Sequence, residues 1–449
     1  MRYIIAMMLI ATSLIADAQK KFDSAAYVDF YANRWDKVDF NARMADVPVP
    51  ELTAEEKIAG LSKSWAEAKY NFANFDLVPT LNWDSLYLSF IPKVTATKTT
   101  VEYYKALQEF YRYLIDGHTA IFFPFAIMKQ RNGLIDIDIR WIENKALVTA
   151  NRSGQKLIQP GMELVEWNGK ALQEYIQSEI SPYLHYSTPQ DSTERIYRYE
   201  LLRGVAGQKV LLGFKAMNGN VVQQEFAFTP VENIWNRGPL LEFKILKGNV
   251  GYLKLNSFAD EKIVKMFDSV FQEMEKTNAL IIDIRGNGGG NGGNGFEILG
   301  YLTDKPFMTG KTVIRQYRPV GRSWGGPERN HIEGDDWKPY KNKLYNKQVV
   351  VLTSGATYSA AEDFTSVFKG INRAKVIGAP TGGSTGQPVF FTLPGGGLGA
   401  VCSKRDFIAD GTEFVGVGIQ PDIVVKPTQK GVAEGRDEVL EAALRVIGG

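Results

Sequence analysis

From position 250 onward, apolar strands and amphipathic helices alternate, and this narrows the fold more than any other feature. Strand patterns at 251–255, 279–284, 348–352 and 374–377 are separated by helical patterns at 263–275, 296–302 and 360–368. Parallel strands need long crossover connections, which helices of this length supply. The expected class is therefore α/β, a mostly parallel sheet with helices. The upstream texture differs. Thr53-Ala-Glu-Glu56 reads as a capping box opening an amphipathic run with Ile58, Leu61, Trp65 and Tyr70. Further helices are expected at 83–91 and 100–114, the latter with Tyr103, Leu107, Phe110, Tyr111 and Leu114 at helical spacing. Short strands follow at 121–125, 135–140 and 146–150. Residues 154–230 then read as a strand closed by an Asn168-Gly169 turn, a helix at 172–180, and a hairpin of 210–215 with 221–228 around Asn218-Gly219.

The first residues address the chain outward. Arg2 precedes a 12-residue apolar run at 4–15, and Ala16-Asp-Ala18 supplies a small-x-small cleavage site, the layout of a secretory signal peptide. Twelve residues at 1.5 Å each cannot cross ~30 Å of hydrocarbon. No stable membrane anchor is expected, and the mature chain should be secreted or periplasmic after cleavage near Ala18. Lys+Arg 52 against Asp+Glu 50 gives a net charge of +2, which makes no electrostatic case for nucleic acid. Cys402 is the single cysteine and there are three histidines, His118, His185 and His331. A disulfide framework, a cysteine zinc site and an iron–sulfur cluster are excluded, and neither a metal nor a cofactor is expected.

Four segments could carry chemistry. Asp283-Ile-Arg-Gly-Asn-Gly-Gly-Gly-Asn-Gly-Gly-Asn-Gly295 follows a strand and precedes a helix. It satisfies Gly-x-Gly-x-x-Gly, yet it fits equally a flexible turn, or backbone N–H groups laid open for an oxyanion. Ser359-Ala-Ala-Glu362 stands between a strand and a helix. It fits a capping box, and equally a nucleophile beside free N–H donors. Gly382-Gly-Ser-Thr-Gly386 matches a nucleophile elbow, but Gln387-Pro388 leads into a strand rather than the required helix. His118 ends the aromatic helical region beside Asp116, where a structural role and a base role are both open.

Taken together, these segments resemble the S41 family of serine peptidases, the tail-specific or C-terminal-processing proteases and their tricorn-like relatives. The motifs occur in family order: Asp283-x-Arg-x-Asn-x-Gly-Gly290, Ser359-Ala-Ala-Glu362, Gly378-x-Pro-Thr381 and Gly418-Ile-x-Pro-Asp422. The resemblance implies a signal peptide at 1–18, an N-terminal helical domain at 19–120, short strands linking to the core at 121–153, a PDZ-like domain at 154–230 and the protease core at 235–449. The stretch 181–199 is longer than a PDZ fold needs. The resemblance further implies Ser359 as nucleophile and an oxyanion hole from Ala360 with Gly289 or Gly290. The family's lysine base aligns on Ser384, and no lysine lies between Lys375 and Lys404. The base is then His118, as in the histidine-using tricorn-like branch, although that branch carries a serine where Gly117 stands. Its supporting glutamate aligns on Val415, with Glu413 nearby, and Glu362 and Gln387 are further supporting candidates. On this assignment Ser384 is dispensable, and removing 154–230 changes which peptides are cut more than whether short ones are cut. The implied function is a secreted, metal-independent serine peptidase acting on peptides or unfolded proteins, with chain ends captured at the PDZ-like domain. The alternatives are an inactive binding protein on the same scaffold, or an α/β-hydrolase-type esterase using Ser384.

Overall fold

A computed structural model describes residues 21–33, 38–43, 47–231, 238–339 and 343–448. The apolar run and the cleavage site expected near Ala18 lie outside the described residues. Two units separate, Met1–Asp39 and Phe40–Gly449. The described part of the first holds one helix, Ser24–Ala32, capped by the Asp23 carboxylate.

The centre of the second unit is a six-stranded sheet in the order Leu241–Leu246, Val250–Leu255, Ala279–Asp283, Gln348–Thr353, Lys375–Gly378, Ile423–Val424. The first pair is antiparallel and the next four are parallel. Its strands are apolar on both faces because helices cover both. Leu280, Ile282, Val349 and Val351 point into a core shared with the helices Lys262–Met274, Gly292–Leu299 and Ala360–Gly370. Ile281, Val350 and Leu352, one residue out of phase, pack against Val439, Ala442 and Ala443 of the Glu438–Gly448 helix. Each such buried aliphatic contributes about 1.5–3 kcal/mol. The remaining sheets are antiparallel throughout, so the mostly parallel expectation applies to this one sheet alone.

The helices Ala54–Asn71, Trp83–Thr95 and Thr100–Tyr111 form where the sequence pattern puts them, the first closed by the Thr53–Glu56 box. They share one core with Phe391, Leu393, Val401 and Cys402 from the Pro388–Thr392/Leu398–Cys402 hairpin. Ala120–Phe122 pairs antiparallel with that hairpin, Ala120 opposite Ala400. This pairing delivers His118 to the sheet's edge.

A third layer is an antiparallel sheet of Ile137–Ile142, Lys145–Asn151, Glu163–Trp167, Lys209–Lys215 and Val221–Ala227. The strands at 137–151, expected to be linkers, are members of this sheet. The reason lies in their alternation: Ile137, Ile139, Ala146 and Val148 have no other apolar surface to cover and join Leu164, Leu212 and Phe214.

Candidate active site

Three loops leave the carboxyl ends of adjacent parallel strands, where open α/β sheets place their sites. The loop after Ala279–Asp283 is the glycine turn. Arg285 anchors its base, donating from Nη2 to Asp283 Oδ2 at 2.6 Å and from Nη1 to Asp437 Oδ1 at 2.8 Å. The loop after Gln348–Thr353 leads to Ser359, and the loop after Lys375–Gly378 carries Thr381 and Ser384. Three hydrogen bonds stitch the first two loops. Ser354 Oγ donates to the Arg285 carbonyl at 2.6 Å, Thr357 Oγ1 to the Ile284 carbonyl at 2.9 Å, and Tyr358 N–H to the Asn287 carbonyl at 3.0 Å.

Ser359 stands directly before the Ala360–Gly370 helix with φ 55° and ψ −128°. A non-glycine residue with positive φ is held there by its surroundings at a cost of about 1–3 kcal/mol. A sharp strand-to-helix turn of this kind can expose a serine hydroxyl above the sheet edge. The Gly-x-Ser-x-Gly spelling at 382–386 lies elsewhere: Ser384 is fully buried and its loop runs into the strand Pro388–Thr392. Ser359 Oγ lies 3.1 Å from His118 Nε2. The Ser-x-x-Glu capping box is also formed. Glu362 Oε2 accepts the Ser359 N–H at 3.2 Å, and the serine hydroxyl also faces the imidazole.

The other face of His118 settles what meets it. Nδ1 lies 2.7 Å from Ser384 Oγ. Neither Glu413 nor Gln387 reaches it. Glu413 is 57% exposed and faces Arg405 at 3.6 Å, and the Gln387 carbonyl accepts the Ser403 hydroxyl. Glu362 acts on backbone instead. Its carboxylate accepts Thr381 Oγ1–H at 2.6 Å, Gly383 N–H at 2.7 Å and Ser384 N–H at 2.9 Å, besides Ser359 N–H. Burial pushes its carboxyl up to about 8, against the pull of these donors. Thr381 Oγ1 accepts the Ile419 N–H at 2.7 Å, so the Pro-Thr and Gly-Ile-x-Pro-Asp motifs meet at this one glutamate.

The glycines serve close approach, not dinucleotide binding. A Cβ on Gly289 (φ 97°) would lie 2.7 Å from Ser359 Cβ, and one on Gly290 (φ 133°) 2.2 Å from Ala259 N. The Gly289 N–H, expected as an oxyanion donor, is taken by Asn287 Oδ1 at 2.9 Å. The N–H groups of Gly290 and Ala360 keep no acceptor among the described residues.

Sequence reasoning missed the clamp on His118. Asp116 Oδ1 accepts the His118 N–H at 2.9 Å, and Ser187 Oγ accepts the Gly117 N–H at 2.8 Å. Arg195 donates through Nη2 to the Gly117 carbonyl at 3.2 Å and to Tyr358 Oη at 3.0 Å, and through Nε to buried Asp191 at 2.7 Å. The Tyr358 ring stacks on the imidazole with centroids 5.0 Å apart. Burial opposes the Arg195 charge, but Tyr358 and Asp191 outweigh it and hold its pKa above the ordinary value. Ser187, Asp191 and Arg195 all belong to the surplus stretch of the insert, so the insert is not separable from the site. Arg195→Ala should strand the buried Asp191 charge and cost about 3 kcal/mol or more, read from urea unfolding. It should also cut peptide turnover, and unchanged stability and turnover would refute the clamp.

The family model for Peptidase family S41 matches residues 249–425. The "Probable CtpA-like serine protease" of Staphylococcus aureus is 26% identical over 180 residues, 40% of this chain and 34% of that protein. The "Carboxy-terminal-processing protease" of Bartonella bacilliformis is 26% identical over 207 residues, 44% of each chain. The chain thus spans less than half the length of these curated relatives. Among solved structures, mature CPAF superposes with a TM-score of 0.70 at 15% identity, over 88% of this chain and 96% of that one. The photosystem II D1 C-terminal processing protease gives 0.52 at 19% identity, over 88% and 97%. At these identities the likeness is one of fold. The sequence match contains the glycine turn, the Ser359 elbow and the Thr381–Ser384 loop, and over these residues the chain matches the model of peptidase family S41.

Proposed function

We propose that the protein is a serine peptidase in which Ser359 is the nucleophile and His118 the general base. The observation that carries this reading is the 3.1 Å contact between Ser359 Oγ and His118 Nε2 at a positive-φ strand-to-helix turn. With Nε2 accepting from Ser359, Nδ1 carries the ring proton and donates to Ser384 Oγ. Ser359 Oγ attacks the scissile carbonyl carbon while its proton moves to Nε2. The carbonyl oxygen becomes an oxyanion facing the Gly290 and Ala360 N–H groups. As the C–N bond breaks, Nε2–H protonates the leaving amine and an acyl-serine remains. Water, deprotonated by the same nitrogen, then releases the acid.

Ser384 replaces the carboxylate of a triad with a neutral hydroxyl, which fixes the tautomer but stabilises the imidazolium less. It is a positioning residue, not a dispensable one. Ser384→Ala should lower kcat about 10- to 100-fold with little change in KM, and wild-type kcat in a folded variant would remove it from the relay.

Secretion is carried by the 1–18 segment, and no described helix is long and apolar enough to cross a membrane. Substrates are peptides or unfolded proteins. The β-rich unit over 154–230, the PDZ-like domain, presents chain ends by strand addition. A fluorophosphonate probe tests the central reading. Covalent label that disappears in Ser359→Ala supports it. Absence of label supports an inactive binding protein, and label at Ser384 the esterase.

A further inference from the structure

Asp363 is an acidic side chain at the site that the mechanism above leaves unused. Its N–H donates to the Ser359 carbonyl at 3.1 Å, which puts it one helical turn beyond the nucleophile on the same face. Its Oδ2 lies 3.8 Å from where a Cβ on Gly292 would stand, at the end of the glycine turn that carries Gly290. It is half-buried, and no donor among the described residues bonds its carboxylate. The adjoining Asp406 is the opposite case. It accepts Thr385 Oγ1–H at 2.6 Å and Lys404 Nζ–H at 3.0 Å. Burial opposes the Lys404 charge, but Asp406 and Asp363 outweigh it and raise its pKa, so it stays an ammonium. Two carboxyl groups therefore lie near one ammonium, which is already committed to Asp406.

We infer that Asp363 is a specificity-determining residue that takes a cationic substrate side chain, lysine or arginine, beside the scissile bond. This rests on the Ser359 reading and names its substrate class. A basic side chain would supply the missing partner and hold the Asp363 carboxyl ionised, whereas an isosteric apolar one would leave it protonated and unpaired. Burial, followed by the Asp406 charge, pushes the Asp363 carboxyl up to about 8, so it gains a charge when a cation is set beside it.

The test measures binding without turnover. Calorimetry on full-length Ser359→Ala compares acetyl-Ala-Ala-Lys-Ala-Ala-amide with its norleucine counterpart. The lysine peptide should bind about 30-fold more tightly or better, the scale of one desolvated charge pair. Asp363→Asn in that background should bring the ratio to within about threefold of one, and Asp363→Glu should restore a preference for lysine. Equal affinities in Ser359→Ala, no binding of either peptide, or a ratio that survives Asp363→Asn overturns the inference. Fluorophosphonate labelling of the wild type reports separately on the catalytic reading: label without a lysine preference sinks the specificity alone, and a lysine preference without label sinks the catalysis alone.

Discussion

Ser359→Ala should abolish peptide hydrolysis, with kcat reduced by about 10³-fold or more, and leave the fold intact. The size follows from losing the acyl-enzyme route, since removing a nucleophile costs several orders of magnitude. Stability should largely hold because loss of a serine cap costs only about 1 kcal/mol. The N-cap N–H is bonded by Glu362 Oε2 and by the Ser384 carbonyl at 3.2 Å, both of which survive the substitution. Also removed is one hydrogen bond to His118, worth about 1 kcal/mol. The measurement is turnover of a quenched fluorogenic peptide alongside a urea melt. Wild-type turnover in a folded variant would end the proposal, and a collapsed melt would show that Ser359 is chiefly a cap.

The core was legible because its signals are local. The strands at 279–283 and 348–353 announce themselves by continuous apolar runs, and the helix at 360–370 by its period, so the order of loops at the sheet edge could be read from the chain. Ser359 and His118 came from motif resemblance, and the fold brings them together across 241 residues. What could not be read was anything set by the approach of distant segments. Ser384 sits in a spelling that suggests a nucleophile and stands instead behind the imidazole, because the loop after 375–378 folds under Glu362. Glu413 looked close to the expected register and points outward to Arg405. The 121–153 strands looked like a linker because a strand's partner is not encoded in its own alternation.

The insert shows the limit most plainly. Residues 181–199 registered only as too long for a PDZ-like fold. That surplus builds the Pro189–Glu194 helix and its continuation to Glu200, and so carries Asp191 and Arg195 to Gly117 and Tyr358. Deleting 154–230 would strip the base of its clamp as well as altering peptide choice. A useful signal was present: Asp191 and Arg195 are four residues apart, the spacing of a helical ion pair, in a segment with no evident need for one.

His118→Ala should lose about 10³-fold in kcat/KM, whereas His331→Ala, at an exposed position paired with Glu333, should lose little. The pH dependence of the wild type is the sharper test. A general base must be neutral to accept the serine proton, so kcat/KM falls as pH drops through the base's pKa in the free enzyme. An ordinary histidine would put that limb near 6.5. Burial of the His118 imidazole disfavours its charged form and, with the Arg195 guanidinium nearby, lowers its pKa to about 3. The limb should therefore lie well below 6.5, with kcat/KM flat from about pH 5 to 7. Asp406 acts in the opposite sense, stabilising the imidazolium, so Asp406→Asn should move the limb further down while Arg195→Ala moves it up. Circular dichroism across the same range separates loss of the base from acid unfolding. A single limb at 6.5 in the wild type, or an active His118→Ala enzyme with an unchanged profile, would refute the buried base. Lys404 would not replace it: Asp406 and Asp363 outweigh burial and raise its pKa above the ordinary lysine value, so it is an ammonium at neutral pH.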